Sequence, residues 1–279
     1  MRWFLQNTSS NAIHQFAMLR RSCQVLAVAL IAGLGAASAQ GTFGQIAYGA
    51  GWQTTFVLVN ADTTTAASVS LAFYSDSGAN LPLPVNGGAA VSPYNVNIPP
   101  SGSISVVIKD NGSPTASQGW ASLHVTNSVA VSGQAIFRQD LGSPHPVTEA
   151  AVPLTGGTPT CIFSFWDVEP THYLLIPFDN TTNTHVTAIA LANTTASAIS
   201  APIAFQDQVG TTIASDTLNL AAMNHTAYVS TDKYPATAGK TGIIRITLPS
   251  GANPGDLAAL ALLANPNTGT LTTLVPIIQ

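Results

Sequence analysis

Residues 54–78 read TTFVLVNADTTTAASVSLAFYSDSG, and residues 187–210 read TAIALANTTASAISAPIAFQDQVG. Each stretch is an apolar strand ending in Asn, a connection of Thr, Ala and Ser, a second strand ending in Phe, and an Asp-containing turn closed by Gly. Asn60 answers Asn193, and Phe73 answers Phe205. Each copy runs on to a similar ending, EAAVPL at 149–154 and TTLVPII at 272–278, so that Pro153 corresponds to Pro276. The offset is 133 at the start and 123 at the end, one domain length and far above the period of a solenoid repeat. The sequence therefore predicts two similar domains in tandem.

Working outward, short alternating runs rich in β-branched residues and bounded by Gly, Pro, Asn and Asp read as strands. The first copy offers 44–48, 53–60, 67–75, 94–98, 103–109, 119–126, 130–139 and 149–154; the second offers 172–178, 185–193, 200–206, 213–220, 225–231, 241–248, 257–264 and 271–278. With no amphipathic helix, this is the pattern of an all-β chain: two tandem immunoglobulin-like antiparallel β-sandwiches. Leu257–Ala264 has helix-favouring Ala and Leu, but its partner VSGQAIFRQ is a better strand, so both read as β. Thr54, Phe56 and Leu58 share one face; Ile104, Val106 and Ile108 share another, as do Ile244, Ile246 and Leu248. Burying each such side chain contributes about 1.5 to 3 kcal/mol, enough in sum for each domain to fold without a crosslink.

The N-terminus reads as a secretory signal peptide over residues 1–39, with Leu19-Arg20-Arg21, an apolar run from Val25 to Ala37 and Ala37-Ser38-Ala39 before Gln40. The apolar run is about a dozen residues, short of the roughly 20 that span a bilayer, and the expected route is Sec export with Met18 as a possible true start. The domains are then 40–154 and 171–279, joined by an apolar connection at 155–170 whose Phe163, Phe165 and Trp166 are expected at the interface. Once the leader is gone, five basic residues face all twelve acidic ones, a net of −7. Such a surface does not attract nucleic acid or anionic lipid. Charged residues are 7% of the chain against about 25% in ordinary globular domains, which suits an exported β-protein, secreted or on the cell surface, without a membrane span in the mature chain. Cys161 remains alone, so no intrachain disulfide can form; its neighbours Ile162, Phe163 and Trp166 argue for burial over pairing between chains.

Candidate chemistry is sparse. The histidines at 124, 145, 172, 185 and 225 form no metal-ligand spacing, and the nearest approach, Asp167, Glu169 and His172 with Asp179, reads as turn residues. Asp76-Ser77-Gly78 is a turn and not a nucleophile elbow. Phe178-Asp179-Asn180 onward lacks the alternating acidic ligands of a calcium loop and reads as an Asx-turn. No metal, cofactor or catalytic residue is expected. Trp52, Trp120 and Trp166 are the candidate binding residues, because an exposed aromatic on a sandwich can stack on a sugar ring. A Trp at a strand end is more often a lid on the core.

The residues GWQTTFVLVN, LAFYSDSG, IPPSGSISVVI, GWASLHV and PFDNTTNTHVTAIALAN resemble those of a group of uncharacterised exported bacterial proteins built from two tandem immunoglobulin-like β-sandwich repeats. The resemblance covers nearly the whole mature chain and rests on strand and turn motifs, so it implies fold and export and no catalytic residue. The expected function is a non-catalytic extracellular or surface-associated protein mediating adhesion, matrix or protein contacts, its partner an unknown protein or polysaccharide outside the cell. A carbohydrate-binding module is the alternative, and a secreted hydrolase the third reading.

Overall fold

Two sets of strand-forming runs, each punctuated by turn residues, lay down two sets of sheets. The computed structural model describes residues 40–109, 112–127, 129–143, 145, 147–156, 172–253 and 255–278. The first half holds β1 (Gln40–Tyr48), β2 (Trp52–Asn60), β3 (Ala67–Ser75), β4 (Leu83–Pro84), β5 (Ala90–Val91), β6 (Tyr94–Ile98), β7 (Ser103–Ile108), β8 (Ser117–Val125), β9 (Val131–Gln139) and β10 (Thr148–Pro153). The second holds β11 (Tyr173–Asp179), β12 (Val186–Asn193), β13 (Ile199–Asp207), β14 (Thr212–Leu220), β15 (His225–Val229), β16 (Thr241–Thr247), β17 (Leu257–Asn265), β18 (Thr270–Leu274) and β19 (Ile277–Ile278). Every pairing among these strands is antiparallel. The described residues are all-β apart from a helical turn at Ser230–Lys233 and a 3-10 turn at Pro235–Thr237.

In the first half, sheet I has the order β1-β8-β3-β6 and sheet II the order β10-β9-β2-β7. The second half has β14-β13-β16-β11-β19 as sheet III and β15-β12-β17-β18 as sheet IV. Leaving out the β4–β5 hairpin, the two halves follow one order: the first strand lies beside the sixth and the second beside the seventh. In the immunoglobulin constant domain the first strand lies beside the second and the seventh beside the sixth. Inward-facing Phe56, Phe73, Ile108 and Phe137 form the core of the first half, and Ile176, Phe205, Ile244 and Ile246 that of the second.

Two buried polar pins and one glycine turn recur at equivalent places. Thr54 Oγ1 donates to the Ala47 carbonyl at 2.7 Å and accepts from the Ala47 amide, while Thr187 Oγ1 does the same with Asp179 at 3.0 Å. Asn60 Nδ2 donates to the carbonyls of Thr65, Ile98 and Pro99; Asn193 Nδ2 donates to those of Ser197, Leu220 and Ala221. Each amide ties the end of one strand to a strand of the opposite sheet, which explains why both runs stop at Asn. The turn after β3 closes with Gly78 N–H on the Ser75 carbonyl, and the turn after β13 with Gly210 N–H on the Asp207 carbonyl, each at 2.9 Å. Both glycines have positive φ, 78° and 85°, which a side chain would strain.

Each expected strand is present, and the departures have physical causes. The expected strand 271–278 is divided at Pro276, which has no N–H for the ladder; β18 stays in sheet IV and β19 joins β11 in sheet III. The first half switches sheets in the same way after Pro153, where Thr155 bridges Thr42. β17 is a strand despite its helix-favouring composition. Leu257, Ala259 and Ala261 face the second core while Ala258 and Leu260 face the first half, so tertiary burial on both faces overrides propensity. The two halves belong to one compact unit spanning Ser38–Gln279.

Candidate binding cleft at the contact between the halves

The contact is built on a bulge in β1. Phe43 lies opposite Ala121 and Ile46 opposite Gly119, so Gly44 and Gln45 together stand against Trp120. The extra residue lets both Phe43 and Ile46 point into the core although they are an odd number apart. On β8, a Cβ at Gly119 would overlap the Tyr74 carbonyl, which leaves glycine as the residue that fits before Trp120. Trp120 then turns away from the core of its own half. Its ring stacks on Tyr74 with centroids 4.4 Å apart, and its neighbours Ala192, Ala258 and Met223 all belong to the second half.

Trp120, the binding candidate whose plainer reading is a lid, is 1% exposed, with one face taken by Tyr74. It is a lid, and what it closes is the seam between halves. Trp166 lies outside the described residues, as do Cys161, Phe163, Phe165, Asp167 and Glu169. The contact expected from the 155–170 connection is made, among the described residues, by Trp120 and its neighbours.

A polar clamp lies beside Trp120. Gln118 Nε2 donates to Asp76 Oδ2 at 3.2 Å, His225 Nδ1 pairs with Asp76 Oδ1 at 2.8 Å, and the His225 amide donates to the Asp76 carbonyl at 3.0 Å. A carboxylate acceptor places a proton on Nδ1. Nε2 is buried without a partner, so no hydroxyl or thiol among the described residues stands where this pair could activate it. The arrangement suits a clamp between halves. Asp76, read in the sequence as a turn residue, and His225, read as one of several scattered histidines, are 149 residues apart; spacing carries no signal over that separation.

Among the described residues, Trp52 is the sequence candidate that lines open space. On one side lies a cleft of about 360 Å³ walled by Ala47, Phe137, Ala190, Leu260 and Leu262. On the other lies a hollow of about 370 Å³ bounded by Leu141, His145, Thr148, Pro266 and Leu271. Phe137 meets the Trp52 ring edge-on at 6.4 Å. Gln45 Oε1 at the first cleft and Thr148 Oγ1 at the second are buried without a protein partner. The mainly apolar walls of the first cleft, with Trp52 and Phe137 among them, match a site for a small, largely apolar or planar group.

Other titratable groups are structural in their contacts. Burial pushes the Tyr228 hydroxyl up, and burial together with the Asp216 carboxylate pushes Tyr234 up to about 12; Lys233 Nζ sits 4.4 Å above the Tyr228 ring. Asp179 accepts from both the amide and the hydroxyl of Thr181, closing the expected Asx-turn, and pairs with His185 at 3.2 Å. Among the described residues no three His, Cys, Asp or Glu side chains gather as metal ligands, and no helix is long and apolar enough to cross a membrane.

No protein-family model matches the chain, and no match is found among curated proteins or solved structures.

Proposed function

We propose that this chain is an extracellular or surface-associated contact protein without catalytic activity, exported through a Sec-type leader and built by duplication of one immunoglobulin-like sandwich. The likeness to immunoglobulin domains is in layering, since the first and seventh strands exchange sheets. The recurring Thr, Asn and Gly pins support the duplication, and the composition and leader support export. The observation that carries the functional reading is the set of large apolar side chains left exposed on strands and turns, Val59, Val209, Ile243 and Ile277 among them. Surfaces of that kind mark sites of contact with other macromolecules.

The test is to add purified, labelled protein to washed cells of the source strain lacking its own copy, with N-terminal sequencing of the secreted form. Saturable retention and a start at Gln40 support the reading. Retention indistinguishable from an inert protein of equal size rejects it. The second reading, a carbohydrate-binding module, is favoured by the position of Trp52 between two hollows. Affinity electrophoresis on a polysaccharide panel decides it, with unchanged mobility on every polymer rejecting it.

A further inference from the structure

The contact between the halves joins two different surfaces, and the duplication proposed above, on which this inference rests, supplies a counterpart of each, with the bulge of β1 absent from β11. One is the side of the first half formed by the β1 and β10 edges, the turn at Gly78 and Trp120. The other is the outer face of sheet IV, where Ala190, Ala192 and Ala258 receive it. The turn is seated closely, since a Cβ on Gly78 would come within 2.9 Å of the Met223 backbone.

Register locates the counterparts. Gly119 lies opposite Ser75 and Gly242 opposite Asp207, and a Cβ on Gly242 would overlap the Gln206 carbonyl as one on Gly119 would overlap that of Tyr74. Ile243 therefore stands where Trp120 stands, and the turn at Gly210 where the turn at Gly78 stands. Nothing lies within 4 Å of a Cβ on Gly210. On this side, uncovered among the described residues, Val209 is 85% exposed, Val275 60%, Ile277 54%, Ile278 51% and Ile243 43%. Asn60 pairs with Val131 and Asn193 with Leu257, so Val57, Val59 and Ser132 on sheet II stand where Ala190, Ala192 and Ala258 stand on sheet IV. Val59 is 38% exposed.

We propose that the uncovered side of the second half docks onto the outer face of sheet II in a second copy of this chain, repeating between molecules the contact made within one. Side-chain size supports the match. Within the chain a large knob, Trp120, meets alanines; between chains a smaller knob, Ile243, meets valines. Because the two surfaces differ and sit on opposite halves, the contact is head-to-tail and adds copies in a row.

The experiment is analytical ultracentrifugation of the purified mature chain from micromolar to millimolar concentration, with I243D and V59D variants alone and mixed. The native chain is expected to rise in mass with concentration beyond a dimer. Each variant alone stays at the mass of one chain, and the equimolar mixture forms a species of twice that mass, because each variant retains the surface the other lacks. V209D, at a more exposed position, serves in place of I243D if that variant fails to fold. A native chain that stays monomeric overturns the assembly; an assembly indifferent to both substitutions, or a mixture that stays monomeric, overturns the equivalence of the surfaces. No cells are present, so these outcomes are read separately from surface retention.

Discussion

The indole Nε1 of Trp120 donates to the carbonyl of Met223 at 2.8 Å, joining residues 103 positions apart in different halves of the chain. This bond gives a buried tryptophan the polar partner that its N–H requires, and it satisfies a turn carbonyl that the seam would otherwise bury unpaired. Trp120 thus belongs to the first half by its strand and to the second by its partners.

Trp120→Ala is expected to lower stability by about 3 to 5 kcal/mol and to separate the unfolding of the halves. Trp120→Phe, which keeps most of the packing and loses the bond, is expected to cost about 1 to 3 kcal/mol, because the Met223 carbonyl is left unpaired. Urea unfolding followed by circular dichroism checks both, and one coincident transition in the alanine variant argues against a stabilising seam.

Asn60→Ala and Asn193→Ala each remove three hydrogen bonds donated by one buried amide. Each loss is expected to cost about 2 to 4 kcal/mol, and the two costs are expected to be alike because the bonds are alike. The shift in urea midpoint measures it.

Gly78→Ala and Gly210→Ala separate backbone strain from contact. Both place a side chain at positive φ, about 1 to 2 kcal/mol, but only Gly78 also meets the Met223 backbone. Gly78→Ala is expected to lower the melting temperature more than Gly210→Ala, and equal shifts would mean that the turn at Gly78 is not seated.

Asp62 and Asp179 are expected to make the fold sensitive to acid. Bonds from the Thr64 and Thr65 amides hold the Asp62 carboxyl below its ordinary 3.8. Burial pushes Asp179 up, but the Thr181 bonds and the His185 charge outweigh it and hold this carboxyl low as well. With folded values depressed, their contribution is fully present above the unfolded value and is lost as pH falls below 3.8. Asp179→Asn is expected to flatten the fall in melting temperature between neutral pH and pH of about 2; a profile parallel to the native one contradicts this.

Much of the fold was legible because strand signals are local. The strand ends at Asn60 and Asn193, the Gly turns and the inward faces of GIIRITL and ISVVIKD all follow from neighbours within a few residues. The seam was less so. GWASLHV places Trp120 at a strand start, but whether its ring lies on sugar, core or a second domain depends on what sheet IV brings against it. The alanines of ALAN were readable as strand and those of LAALA as strand or helix, and their use as a shallow floor for a tryptophan was not.

The sequence alone determined that this chain folds as β-structure, since period-two alternation and turn chemistry are carried by consecutive residues. Only the tertiary structure decided that Trp120 closes a seam, that Asp76 clamps His225, and that Trp52 lines open space. Those outcomes depend on which faces two sheets leave uncovered once each has satisfied its own hydrogen bonds, and that is a property of their packing rather than of any stretch of chain.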